Sequence, residues 1–261
     1  MLSTESRIEV ADLLHAAEKG FAPLEPLATL FPDIDMVDAY EIQLLNIRRR
    51  VEAGERVVGH KVGLTAKAMQ EMLGVSEPDY GHLFDTTELH EGEPVQCARF
   101  LLPRVEIEVA FVLGADLPGA DCTVDDVMAA TEFIVPSIEL IDTRIKEWRI
   151  GLVDTVSDNA SYAGHALGAQ RVRPDDIDLT AIDAVLAING ERVAEGRSDA
   201  VLGHPARAVA WLAQTVDTFG VRLRAGDVVL PGSCTKAVDV RPGDHVRAEF
   251  SGLGTVSIEF V

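Results

Sequence analysis

The sequence predicts an α+β fold: a small helical N-terminal lobe followed by a β-rich core. Three observations lead there. Residues 4–53 hold two stretches of helical periodicity, each closed by a glycine. Short apolar runs with a period of two follow, without the regular strand–helix–strand alternation of a doubly wound sheet. From Asp183 onward, such runs are separated by glycine-rich turns. With 261 residues, 47% of them hydrophobic, the chain can bury a sizeable core. The boundary is expected near residue 75, with a helical lobe over 1–75 and a β-rich core over 76–261.

Taken in order, Ile8, Ala11 and Leu14 recur at helical spacing from Thr4 to Lys19, and Gly20 ends that helix. Phe21–Pro32 is proline-spaced and reads as irregular. Asp35 caps a second helix, Met36–Ala53, with Tyr40, Leu44, Ile47 and Val51 as its stripe and Gly54 as its stop. Arg56–Val62 reads as a strand. Thr65 is placed to cap a short helix, Ala66–Leu73, stopped by Gly74, and Ser76–Gly81 reads as a turn. In Arg104–Leu113, Val105, Ile107, Val109 and Phe111 alternate with Arg104, Glu106, Glu108 and Ala110, which is the pattern of a strand with one apolar face. Thr123 caps a helix running to about Thr131. Phe133–Ile141 is a further apolar strand, in which Pro136 argues for an edge or a bend. Asp154–Ser161 is small, polar and without period, and reads as a loop. Asp183–Ile188 and Arg192–Glu195 flank Asn189-Gly190, a hairpin signal. Gly203-His204-Pro205 opens a helix over Ala206–Phe219, ended by Gly220. Val228–Leu230, His245–Phe250 and Thr255–Val261 complete the strands.

Composition excludes several function classes. Net charge is −20, from 43 acidic and 23 basic residues, so no basic stripe is available for nucleic acid. An anionic substrate needs a local cation to bind against that field. No apolar run approaches the roughly 20 residues of a membrane span. The first residues lack a basic region followed by an apolar stretch, which points to the cytoplasm. Cys97, Cys122 and Cys234 are widely spaced and read as reduced thiols. No Gly-x-Gly-x-x-Gly motif opens a helix after a strand, and no Walker loop exists.

Several side chains stand out. Glu106 and Glu108 point the same way on one strand. Either they form a solvated face, or a hard divalent cation sits between them. Glu139 is a lone acid in an apolar strand, and a buried carboxylate needs a partner. Lys61 lies in an apolar strand between Gly59 and Gly63; it is either solvated or a contact for a substrate carboxylate or proton. Asp79 by itself reads as a turn residue capping its own backbone. Asn159 and Ser161 can donate to a carboxylate or close local turns.

Together, Gly59-His60-Lys61-Val62-Gly63-Leu64-Thr65, Glu77-Pro78-Asp79-Tyr80-Gly81, Pro103-Arg104-Val105-Glu106-Ile107-Glu108, Pro136-Ser137-Ile138-Glu139, Asp154–Ser161 and Leu230-Pro231-Gly232-Ser233 form an ordered set. In this order and spacing the chain resembles the 2-keto-4-pentenoate hydratases of the fumarylacetoacetate hydrolase superfamily, over nearly its whole length. The wording is most similar to actinobacterial hydratases of steroid-ring degradation. The resemblance implies a mixed β-roll or barrel-like core. It implies that Glu106, Glu108 and Glu139 hold Mg²⁺ or Mn²⁺, that Lys61 and Asp79 handle protons or orient substrate, and that Ser161, with Asn159 and Ser233, lines the substrate pocket. It also implies a ring-like homo-oligomer and association with a downstream aldolase or a sister decarboxylase.

The implied reaction is addition of water to a 2-hydroxy-2,4-dienoate of five or six carbons. Ketonisation conjugates the remaining double bond with the 2-oxo group, and water adds at C4. Two sister activities use the same scaffold. A 2-oxo-3-hexenedioate decarboxylase shares the three carboxylates and calls for an extra cationic contact. A C–C hydrolase calls for a His/Glu pair, for which His82, His90, Glu88 and Glu91 are the nearby residues. A non-catalytic partner of a pathway enzyme is the alternative of another class.

Overall fold

The computed structural model describes residues 1–66, 70 and 77–261. The helix expected over Ala66–Leu73, with its Gly74 stop, falls mostly outside them.

The first helix, α1 (Thr4–Gly20), begins where the Ser3 hydroxyl accepts from Ser6 N. It runs one residue past the expected stop, and Phe21, not Gly20, adopts the left-handed conformation at φ 50°. The segment expected to be irregular contains one short helix, α2 (Leu27–Leu30). The next, α3 (Met36–Glu52), starts with a capping box between Asp35 and Asp38. Asp38 also accepts from Leu2 N and Arg7, which ties the start of α1 to that of α3.

A mixed sheet curls into half a barrel. Its strands are β1 (Val57–Gly63), β2 (Asp79–Phe84), β3 (Glu88–Leu89), β4 (Arg104–Leu113), β5 (Thr131–Ile141), β6 (Tyr162–Leu167), β9 (Val228–Leu230) and β10 (Val238–Asp239). Their order is β2-β1-β9-β4-β5-β6-β3, with β10 paired to β4. A second sheet orders β12 (Gly254–Glu259), β11 (His245–Phe250), β7 (Asp183–Ile188) and β8 (Glu191–Arg197). Asn189 and Gly190 have φ 53° and 83°, as a type I′ hairpin turn requires. Helix α4 (Val124–Ala130) carries the Thr123 cap foreseen for it.

The apolar face of β4 and β5, with Ile107, Val109, Phe111, Ile138 and Leu140, joins one buried cluster with Leu186, Val246, Ala248, Val256 and Ile258 of the second sheet. Val209, Leu212 and Val216 of helix α6 (Pro205–Asp217) belong to the same cluster. The opposite face of β4 and β5 is thereby free for polar side chains.

Two expectations are corrected. Of the edge or bend that Pro136 argues for, the edge is excluded, because β5 pairs with β4 on one side and β6 on the other. The proline is tolerated because β6 pairing stops at Ser137↔Leu167, so no donor is required beyond it. Gly168 N still donates to Pro136 O at 2.8 Å. Asp154–Ser161 is not a solvated loop: it forms helix α5 (Leu152–Ser157) and a tight turn, Asn159–Ser161, in which Asp154, Thr155, Ser157, Asp158 and Ser161 are buried. Asp154 accepts from Gly151 N at 2.7 Å and Leu27 N at 2.6 Å. Buried polar partners, rather than an apolar stripe, hold this helix. Among the described residues, no helix is long and apolar enough to cross a membrane.

Candidate active site

Register builds the centre of the site. Glu106 stands directly opposite Glu139, and Glu108 opposite Ser137, so three carboxyl groups project from one face of β4 and β5. One oxygen from each lies within 4.8 Å of the others. Glu108 and Glu139 are fully buried. Glu108 Oε2 accepts from Gly232 N at 2.7 Å. Gly232 has φ +120°, and a Cβ there would collide with Thr65, so glycine alone lets this amide reach the carboxylate. Among the described residues, Glu108 Oε1 and both oxygens of Glu139 are buried without a hydrogen bond, and Glu139 Oε1 has only the Lys61 ammonium as an ion-pair partner.

Such a cluster is costly as it stands. Burial first, then mutual repulsion with Glu139, pushes Glu106 up to about 7 and Glu108 well above the carboxylate range. Buried oxygens without hydrogen bonds on Glu108 and Glu139, with a Glu106 oxygen beside them, match the oxygen ligand set of a hard divalent cation. The residues present therefore fit a metal such as Mg²⁺ or Mn²⁺.

Lys61 arrives on β1 and is 4% exposed. Its Nζ donates to Ala160 O at 2.9 Å and lies 3.3 Å from Glu139 Oε1. Burial alone lowers the affinity of such an amine for its proton; the charges of Glu139, Asp79, Glu106 and Glu108 outweigh burial and hold Lys61 above its ordinary value. Asp79 is not a self-capping turn residue. It opens β2 opposite Gly63, buried beside Lys61. Its Oδ2 accepts from Thr155 Oγ1 at 3.4 Å, and Oδ1 has no hydrogen-bond partner among the described residues. Burial raises its pKa, with Lys61 opposing.

Ser161 sits at the end of a turn in which Asn159, Ala160 and Ser161 all have positive φ, 53°, 52° and 59°. Consecutive left-handed residues cost roughly 1–2 kcal/mol each. Surrounding bonds over-determine the turn. The Asn159 amide clamps the His82 backbone from both sides, at 2.8 and 2.9 Å. Asp142 N donates to Ser161 O at 2.9 Å. The result aims Ala160 O at Lys61 and brings Ser161 Oγ to 3.5 Å from Thr155 Oγ1.

A cavity of about 270 Å³ collects Lys61, Asp79, Glu106 and Ser161. Asn159 and Ser233, expected to bind substrate, do not line it. The Asn159 amide is occupied by His82. Ser233 Oγ donates to Ile107 O at 3.3 Å and accepts from Thr235 N at 3.2 Å. Thr155, Arg104 and Trp148 line the cavity and escaped the sequence reading. Arg104 was findable, since it shares its strand face with Glu106. Thr155 and Trp148 carried no local signal. His82 is buried in an aromatic cluster with His60 and Tyr80, whereas His90 and Glu88 meet at 4.0 Å on the surface. These histidines do not form the His/Glu pair that a C–C hydrolase calls for.

The family model described as fumarylacetoacetate (FAA) hydrolase C-terminal matches residues 52–261. A 2-keto-4-pentenoate hydratase of Paraburkholderia xenovorans is 40% identical over 259 residues, covering 99% of this chain and 96% of the relative. A 2-hydroxyhexa-2,4-dienoate hydratase of Comamonas testosteroni is 42% identical over 249 residues, covering 95% and 94%. Among solved structures, a 4-oxalocrotonate decarboxylase from Pseudomonas putida G7, complexed with magnesium and adipate, is 35% identical with a TM-score of 0.95, covering 100% and 99%.

Proposed function

The chain belongs to the fumarylacetoacetate hydrolase family, and from that premise we propose that it is a metal-dependent hydratase converting a 2-hydroxy-2,4-dienoate into a 4-hydroxy-2-oxo acid. One observation carries the reading: three carboxylates share a face, two of them with buried oxygens that no described residue hydrogen-bonds, and Glu106 of the three lines one cavity with Lys61 and Asp79. Relatives named as hydratases of five- and six-carbon substrates support it.

Glu106, Glu108 and Glu139 would hold the cation, Mg²⁺ or Mn²⁺. When bound, it supplies Lewis-acid polarisation and charge neutralisation for the substrate's carboxylate and 2-oxygen. The remaining work falls to the chain. Lys61 stays an ammonium and stabilises negative charge as the 2-hydroxyl gives up its proton. Asp79, with a raised pKa and an Oδ1 that no described residue hydrogen-bonds, is suited to hold that proton and return it to the carbon chain at C5. The product of this step is a 2-oxo-3-enoate. Water then adds its oxygen at C4 and its proton at C3. Ser161 and Thr155 orient the polar end, and the apolar walls exclude stray water.

The test is turnover of 2-hydroxypenta-2,4-dienoate by the metal-loaded protein, followed by loss of the dienoate absorbance. Glu106→Gln is expected to lower kcat at least about 100-fold. Unchanged turnover in that variant sinks the reading. Carbon dioxide release from 2-oxo-3-hexenedioate in preference to hydration would replace it with a decarboxylase.

A further inference from the structure

Arg104 lines the cavity with a side chain about one third exposed. It lies two residues before Glu106 on the same face of β4, a separation of about 7 Å along a strand. A six-carbon chain in extended form spans a similar length, roughly 6 Å by ordinary bond lengths. A substrate whose carboxylate end is held through a cation at Glu106, Glu108 and Glu139 is therefore long enough to reach Arg104 with its far end.

The guanidinium is already engaged. Its carbon sits 4.5 Å from the centroid of the Trp148 ring. Its Nε lies 2.6 Å from Asp239 Oδ1, on β10, where Asp239 is the register partner of Arg104. Trp148 is fixed in turn by a bond from Nε1 to Leu102 O at 2.9 Å. Leu64, Ile141, Ile150 and Ala237 supply apolar lining to the same cavity.

We propose that Asp239, acting through Arg104 on its Trp148 platform, sets tail selectivity. This rests on the hydratase reading above. Paired through Nε, the guanidinium has its charge offset by Asp239, and the cavity favours substrates ending in hydrogen or methyl. Unpaired, its full positive charge meets a terminal carboxylate. Asp239 is a positioning residue and touches no substrate. The Arg104 and Asp239 side chains are 33% and 81% exposed, and pairs of that kind contribute little to stability. Asp239→Asn is therefore expected to fold normally.

The experiment compares adipate, a six-carbon dicarboxylate, with hexanoate, its methyl-ended counterpart. Binding of each to the metal-loaded full chain is measured by calorimetry. Asp239→Asn is expected to raise the affinity ratio of adipate to hexanoate about tenfold or more, the worth of one charge-assisted hydrogen bond. The gain should shrink at high salt. The double variant Asp239→Asn/Arg104→Met should return to the wild-type ratio; a merely structural role for Asp239 would weaken both ligands alike. A ratio unchanged in Asp239→Asn, or a gain that persists without Arg104, overturns the proposal. Failure to hydrate any dienoate sinks the hydratase reading alone and leaves this binding comparison intact.

Discussion

Gly63 stands directly opposite Asp79 across β1 and β2, and a Cβ on Gly63 would collide with Asp79 Oδ1. The glycine is the space in which the carboxyl group sits. Its φ is not in the left-handed region, so the requirement is room rather than backbone freedom. Gly63→Ala should keep the fold, because the carboxyl can rotate. It should lower kcat by about 10- to 100-fold through displacement of a proton-handling group. Steady-state kinetics beside a thermal melt separate the two effects. An alanine variant with full kcat would show that Asp79's position does not matter.

Metal removal should couple to pH. In the metal-free protein, burial and then Glu139 push Glu106 up to about 7, from an ordinary 4.5. A folded-state pKa above the unfolded value gives stability that is complete below about 4.5 and lost as pH rises through about 7. A bound cation neutralises the carboxylates and removes that loss. The difference in Tm between metal-loaded and metal-free protein should therefore widen from pH 5 to pH 7.5. Metal affinity should rise over the same range, with proton release on binding. A Tm difference independent of pH would contradict the cluster's role as the metal site.

Lys61→Met removes the ammonium beside Glu139 while keeping most of the stem. Loss of charge stabilisation should reduce kcat by about 10²-fold or more. The metal-loaded protein should stay folded, since the cation still balances the carboxylates. Circular dichroism and stopped-flow turnover on one preparation decide this, and wild-type turnover would exclude Lys61 from the chemistry.

Asn159→Ala should act as a positioning defect. It deletes both bonds to the His82 backbone and leaves a three-residue left-handed turn without its clamp. A loss of about 1–3 kcal/mol is expected from two part-buried amide bonds. Activity should fall with it, because Ala160 O and Ser161 sit on the same turn. A denaturant midpoint equal to wild type would show that other bonds hold the turn.

The sequence by itself determined what is local. Alternation in Arg104–Leu113 placed Glu106 and Glu108 on one face, opposite Val105 and Ile107, because successive side chains on a strand point to opposite sides. Asn189-Gly190 turned the hairpin, and Thr123 capped its helix, for equally local reasons. The identity of Glu106, Glu108, Glu139, Lys61, Asp79 and Ser161 as a set was legible only as a resemblance, since no periodicity joins residues up to 100 positions apart. Tertiary structure alone decided the rest. Strand register put Glu139 opposite Glu106, and a polar stretch without period became a buried helix because Gly151 and Leu27 satisfy Asp154. Asn159 and Ser233 turned from the cavity to backbone partners, while Thr155, Arg104 and Trp148 came to line it. Period reports which side of an element a residue occupies. Which strand lies next to it is set by long-range pairing and by the donors that each buried polar atom must find.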